Sequence, residues 1–243
     1  MMNIIKIEST ASTNLLLKEW SKERFLEEGT VLFTNNQTAG RGQAGTSWEA
    51  ESGKNITCSL LLYPVFLSVK QHFFLSEIAA LGVKEILDDY VNNVTVKWPN
   101  DIYFEDRKLV GILIENELSG RGFSQSVIGI GLNVNQEIFT SNAPNPVSLK
   151  QITGMDFDLD ILVEKITRRI LYWYDQLKEG RSNLISQTYQ DFLYRKNGFH
   201  RYEDKNGPFN AKIQFVADNG FLHLTTDKGE DRSYAFKEIS FVK

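Results

Sequence analysis

The 243-residue chain has one cysteine, three histidines and little apolar sequence in unbroken runs. A lone Cys58 excludes an internal disulfide and suits a reducing, cytoplasmic setting. It lies in an apolar stretch and reads as a small buried hydrophobe rather than a nucleophile. His72, His200 and His223 are scattered, so no metal cluster is visible. The longest apolar run, residues 60–67, contains Pro64 and is far too short to span a membrane. Residues 1–9 lack the basic-then-apolar pattern of a signal peptide. There is no internal repeat and no low-complexity tract. A net charge of −4 supplies no basic surface for coating nucleic acid.

What is present is ordinary globular composition, 42% hydrophobic and 24% charged, with length for a core and a satellite domain. Ser12-Thr13-Asn14 reads as a cap opening a helix. Strands are predicted over 30–33, 56–62 and 126–134. Phe74, Ile78, Leu81, Ile86 and Tyr90 form one stripe, which predicts a helix over 71–90. A second helix is predicted over 160–178 with Gly180 as its stop, and a third from a Ser182 cap to Tyr194. Beyond Lys196, turns such as Asp218-Asn219-Gly220 punctuate short strands over 211–216 and 221–225. That part reads as a small β-barrel. The expected class is α+β: a mixed sheet flanked by helices over 1–195, and a small β domain over 196–243.

The most particular stretch is Lys97-Trp98-Pro99-Asn100-Asp101, followed by residues 107–113. Residues 94–96 lead in as a strand, Asn100-Asp101 favour a turn, and 109–114 is a second strand. Lys97 and Lys108 then stand near the ends of a hairpin-like unit. Two ammonium groups on a rigid sheet can hold a phosphate or a carboxylate.

Three further patterns bear on chemistry. Gly40, Gly42 and Gly45 formally match a dinucleotide fingerprint, but no helix follows and no acidic residue ends the next strand. What remains is a mobile glycine-rich loop in which Arg41 offers a bidentate fork; a plain connector is an equal reading. Period two puts Gly129, Gly131 and Asn133 on one strand face, and Gly111 fits the same idea. Such a face marks close approach of a ligand, or tight helix packing. Asn55, Thr57 and Ser59 likewise share a face, which suits either a polar pocket or a solvent-facing sheet.

Together and in this order, these residues resemble the biotin–protein ligases. The blocks are Ser12-Thr13-Asn14, Gln37 with Gly40-Arg41-Gly42 and Trp48, Asn55, the Lys97–Asp101 block, Arg107-Lys108-Leu109 with Gly111 and Leu113, and Gly129, Gly131 and Asn133. They cover nearly all of residues 1–190. The resemblance implies the catalytic fold of the class II aminoacyl-tRNA synthetase-like biotin and lipoate ligases, with a C-terminal SH3-like barrel. It implies ATP-dependent activation of biotin as biotinyl-AMP, with magnesium carried by the nucleotide, and transfer to a lysine of a biotin carboxyl carrier domain. Lys108, Lys97, Arg41 and Asp101 would serve the chemistry, Asp101 either by helping to bind the metal–nucleotide or by orienting the incoming lysine. Ser12, Thr13 and Gln37 would bind the ureido ring, beside Asn14, over a bed of Gly111, Leu113 and Gly129. Asn133 and Trp48 would lie near the nucleotide, with Asn55, Thr57, Gly131 and Asn100 completing the ligand shell.

Two departures stand out. Many relatives carry arginine where this loop has Gln43, so weaker electrostatic retention of the adenylate is expected. The Ser-Thr-Asn motif also comes almost at once, so no N-terminal helix-turn-helix domain and no operator binding are expected. A homodimer is left open. A lipoate or octanoate ligase or transferase, and a catalytically silent binding module, are the alternatives.

Overall fold

The central strands of the first sheet are buried along most of their length, because helices pack on both of its faces, two long ones on one side and a shorter one on the other. The computed structural model describes residues 3–242, apart from residues 121, 142 and 144 and the side chain of Ala44. In chain order the first half runs β1 (Asn3–Thr10), α1 (Thr13–Glu23), β2 (Thr30–Gln37), β3 (Ile56–Leu62), α2 (Phe74–Leu87), β4 (Val94–Lys97), β5 (Asp101–Phe104), β6 (Arg107–Ser119) and β7 (Gly122–Leu132). Then follow α3 (Leu149–Thr153), α4 (Leu159–Lys178), α5 (Ser182–Asp191), β8 (His200–Asp204), β9 (Gly207–Val216), β10 (Leu222–Thr226), β11 (Asp231–Tyr234) and β12 (Ile239–Phe241).

Seven strands form one mixed sheet in the order β1-β2-β3-β7-β6-β5-β4. Among the named strands of the described residues, β1 and β2 are the one parallel pair. The glycine-bearing strand β7 sits at the centre, antiparallel to both β3 and β6. The main core lies between this sheet and α2 and α4, through Ile78, Leu81, Ile166 and Ile170. A smaller cluster of Leu17, Leu26, Leu32, Leu61 and Val127 seats α1 on the opposite face.

The predicted helices shift at their ends. The 71–90 helix is α2, preceded by a 3₁₀ turn over Val69–Gln71. Asp158 caps α4 by accepting Ile161 N. Ser182 is the first helical residue of α5 and not its cap. Strand β1 and helix α3 have no counterpart in the sequence reading. The expected turn at Asn100-Asp101 begins earlier, because Asp101 already pairs with Lys97 across β4 and β5.

The C-terminal part is a five-stranded antiparallel sheet in the order β11-β10-β9-β8-β12. Its end strands β11 and β12 are not paired to each other, so the closed ladder expected of a barrel is not formed among the described residues. This sheet packs on the first. Trp98 Nε1 donates to Gly220 O at 2.9 Å, and Trp98 meets Phe236 edge to face at 6.1 Å.

Candidate active site

Strand register turns three separate sequence patterns into one floor. Ser59 pairs with Gly129, and Gly129 with Leu113; one step along, Thr57 pairs with Gly131, and Gly131 with Gly111. All of these but the fully buried Ser59 line a cavity of about 210 Å³. Its wall is completed by Ser12, Gln37, Arg41 and Trp48, and by Asn100, Asp101 and Lys108.

The start of α1 closes the first row. Gln37, at the end of β2, accepts Thr13 N at 2.9 Å and Thr13 Oγ1 at 3.2 Å. It therefore performs the capping that Ser12 was expected to do; the Ser12 side chain makes no cap bond and lies buried on the cavity wall. Ser59 Oγ lies 2.7 Å from Thr13 Oγ1 and 2.6 Å from Asn14 Oδ1. Asn14 Nδ2 donates to Leu113 O at 3.2 Å and Glu115 Oε2 at 2.8 Å. A methyl group on Gly129 would collide with the Asn14 amide. Glycine is required there by an approaching helix side chain, one of the two readings its pattern allowed.

The second row is covered differently. The Trp48 indole lies across Gly111 and Gly131, where a methyl on Gly111 would come within 2.8 Å of its ring and one on Gly131 would clash outright. Trp48 Nε1 and Asn133 Oδ1 are buried and without a hydrogen-bond partner among the described residues. The loop that carries Trp48 is ordered by its own backbone. Trp48 N donates to Gly40 O at 3.0 Å and Gly42 N to Thr46 O at 2.7 Å.

At the rim, Lys108 Nζ donates to Asp101 Oδ2 at 2.6 Å, and both side chains are about three-quarters buried. Arg41 pairs with Glu115 at 3.5 Å. Gln43 Nε2 reaches Asn100 Oδ1 at 3.4 Å, and Asn100 Nδ2 bonds Ile112 O. Cys58 also touches the cavity, but burial pushes its thiol up to about 12, which removes it as a nucleophile at neutral pH.

Not every candidate faces this cavity. Lys97 lines a neighbouring cleft with Arg195 and Tyr194. Its Nζ donates to Tyr103 Oη at 3.0 Å, and burial lowers its pKa. Asn55 lies outside the cavity wall; its Oδ1 accepts Val134 N at 2.9 Å. Asn133 Nδ2 bonds Val147 O at 3.1 Å, and Gly40 forms the neck of the loop against Trp48. Phe236 and Lys237, in the β11–β12 turn, line both the cavity and the cleft. No sequence signal marked them, because nothing in a short turn says which surface it will meet.

A mixed sheet with a helix-capped floor, a glycine loop above it and a docked β domain defines a class of small-ligand catalytic domains. Within it, residues 6–133 match the model of the biotin/lipoate A/B protein ligase family. That span is more than half of the chain, and the protein belongs to this family. Its fold is similar to the biotin protein ligase from Aquifex aeolicus in complex with biotin and ATP, at 27% identity and a TM-score of 0.82 over 100% of both chains. It is 28% identical over 214 residues to the bifunctional ligase/repressor BirA of Bacillus subtilis, covering 86% of this chain and 65% of the relative. It is 34% identical over 175 residues to a biotin–[acetyl-CoA-carboxylase] ligase of Mycobacterium tuberculosis, covering 69% of this chain and 64% of the relative. The chain thus spans slightly under two thirds of the length of the Bacillus and Mycobacterium relatives. No described helix is long and apolar enough to cross a membrane.

Proposed function

We propose that the protein is a biotin–protein ligase. In the first step a biotin carboxylate oxygen attacks the α-phosphorus of ATP. The bond to the β-phosphate breaks, giving biotinyl-AMP and pyrophosphate. In the second, a lysine amine of a biotin carboxyl carrier domain attacks the acyl carbon, and AMP leaves. The single observation that carries the reading is convergence. Residues from the start of α1, the 40–48 loop and the Lys97–Leu113 unit meet on one cavity in a fold that also holds biotin and ATP in the Aquifex aeolicus relative.

Each half of the floor suits one substrate. Ser12, Thr13 and Gln37 offer donors and acceptors for a ureido ring, and Leu113 an apolar surface for the bicycle, while Gly129 makes room for the Asn14 amide that backs them. The Trp48 face can stack on the base, and the unpaired Asn133 Oδ1, buried just beyond the cavity wall, would accept from an exocyclic amine of adenine that reaches past Gly131. Lys108 stands between the halves, where the acid's carboxylate and the α-phosphate must meet. Two anions are brought together in that step, so a fixed cation there stabilises the developing charge. Arg41 adds positive charge on the cavity wall, Lys97 acts only from the neighbouring cleft, and magnesium arrives with the nucleotide. Asp101 holds the Lys108 ammonium in place. Among the described residues it is also the one carboxylate on the cavity wall, so it would orient the acceptor amine. The loop over the floor keeps water from the mixed anhydride.

The expected partner is a carrier domain in the cytoplasm. The test is to mix the protein with magnesium-ATP and biotin, lipoate or octanoate and follow acyl-AMP by mass spectrometry. Biotinyl-AMP alone is expected. Lipoyl- or octanoyl-AMP would move the protein to the sister branch of its family, and no adenylate at all would favour a binding module.

A further inference from the structure

The segment between the glycine loop and β3 carries a network that the reaction above does not use. Glu49 follows Trp48 directly. Its Oε1 accepts Thr140 N at 2.9 Å, Thr140 Oγ1 at 3.1 Å and Gln136 Nε2 at 3.2 Å, and its Oε2 accepts Ser141 N at 2.8 Å. Burial alone would raise this carboxyl, but the donors from Ser141 and Thr140 outweigh it and hold the group down at about 2. Gln136 is 1% exposed. Its Oε1 accepts Glu51 N at 2.9 Å and also bonds Asn55 Nδ2. The next stretch of chain reaches the central lysine: Lys108 N donates to Asn145 O at 2.8 Å and Val147 N to Lys108 O at 3.0 Å.

A glutamate on open surface rarely fixes anything. This one gathers four donors, two of them backbone amides, and sits one residue from the indole that covers the floor. The loop's neck is the Trp48 N to Gly40 O bond, so a tether at residue 49 restrains the whole 40–48 hairpin.

We propose that Glu49 is a positioning residue. Its carboxylate clamps the neck of the 40–48 loop to residues 136–141, which keeps Trp48 on the Gly111–Gly131 floor and the loop over the adenylate between the two steps. What the loop retains rests on the biotin-ligase reading; the clamp itself does not.

Hydrogen exchange on the ligand-free protein tests the clamp without any substrate. In Glu49→Gln the amides of residues 40–48 should exchange about tenfold faster, while β3 and α2 keep wild-type rates. With magnesium-ATP and biotin, biotinyl-AMP should leave this variant about tenfold faster and the KM for ATP should rise, with the KM for biotin within about twofold of wild type. Unchanged exchange in residues 40–48, or a parallel rise of both KM values, overturns the clamp. A wild-type protein that makes no biotinyl-AMP overturns the ligase reading and leaves the exchange result standing. Should Glu49→Gln not fold, Thr140→Ala decides. It deletes one hydroxyl donor, and exchange about twofold faster and confined to residues 40–48 is expected, whereas wild-type exchange there contradicts the proposal.

Discussion

The two rows of the floor differ in one respect that organises the whole site. In the row of Ser59, Gly129 and Leu113, helix α1 already fills the space above, and Thr13, Asn14, Gln37 and Ser59 bond one another. In the row of Thr57, Gly131 and Gly111, the covering group is a loop tryptophan, and Trp48 Nε1 and Asn133 Oδ1 lack partners. Buried polar atoms left unpaired are costly, so on the proposed function the nucleotide is the expected partner for these two. One half of the floor pairs its polar groups within the chain, and the other would be completed by the proposed nucleotide.

The largest effect should come from the residue that joins the halves. Lys108→Ala should slow adenylate formation about 100- to 1,000-fold, the range seen when a preorganised charge-stabilising group is removed. A rapid-quench single-turnover assay checks it, and a variant within about tenfold of wild type would deny Lys108 its role. The glycines separate the rows. Gly129→Ala forces a methyl into Asn14, and Gly131→Ala forces one into Trp48. Overpacking of this kind costs about 1–3 kcal/mol, so if the strain falls on the bound state each should weaken one substrate by about 5- to 150-fold. The first should raise the KM for biotin and the second that for ATP; a loss shared equally by both would break the comparison.

Asn133→Ala should raise the KM for ATP about tenfold with that for biotin unchanged, since it removes a single acceptor. Gln43→Arg should slow release of biotinyl-AMP about threefold, and added salt should abolish the gain. An unchanged release rate would show that a second loop cation is idle.

Glu77→Gln is the control outside both rows. Glu77 is 1% exposed on α2. Burial raises it to about 8 from an ordinary 4.5; Ser186 opposes the rise and Asp218 adds to it. Between those values the folded protein binds the extra proton, so stability falls as pH rises through the window. The variant should gain thermal stability over wild type at pH 8 and lose that advantage near pH 4, with both KM values unchanged.

Much of the floor was legible because strands alternate. Gly129 and Gly131, and Thr57 and Ser59, were each assigned to a face from period two alone, whereas Gly111 and Leu113 were placed beside them only through the family resemblance. Which residue stands beside which was not legible, since register is fixed by the folded sheet. The Ser12 position was read correctly as the start of α1, but the donor that needed capping found Gln37, 24 residues later in the chain. Lys97 was grouped with Lys108 by spacing. The β4–β5 pairing instead turns Lys97 into the cleft beside Tyr103. Strand β1 was missed because its pairing with β2 depends on a parallel crossover through α1, which local pattern does not report. Nothing local could bring Trp48 onto Gly111 and Gly131, or Phe236 and Lys237 to the rim.

Titration of biotin into the nucleotide-free protein by calorimetry tests the two-row account most directly. Saturable binding of biotin with no nucleotide present, undisturbed by octanoate, is the expected result. Binding of biotin only after ATP is added, or equal competition by octanoate, would contradict it.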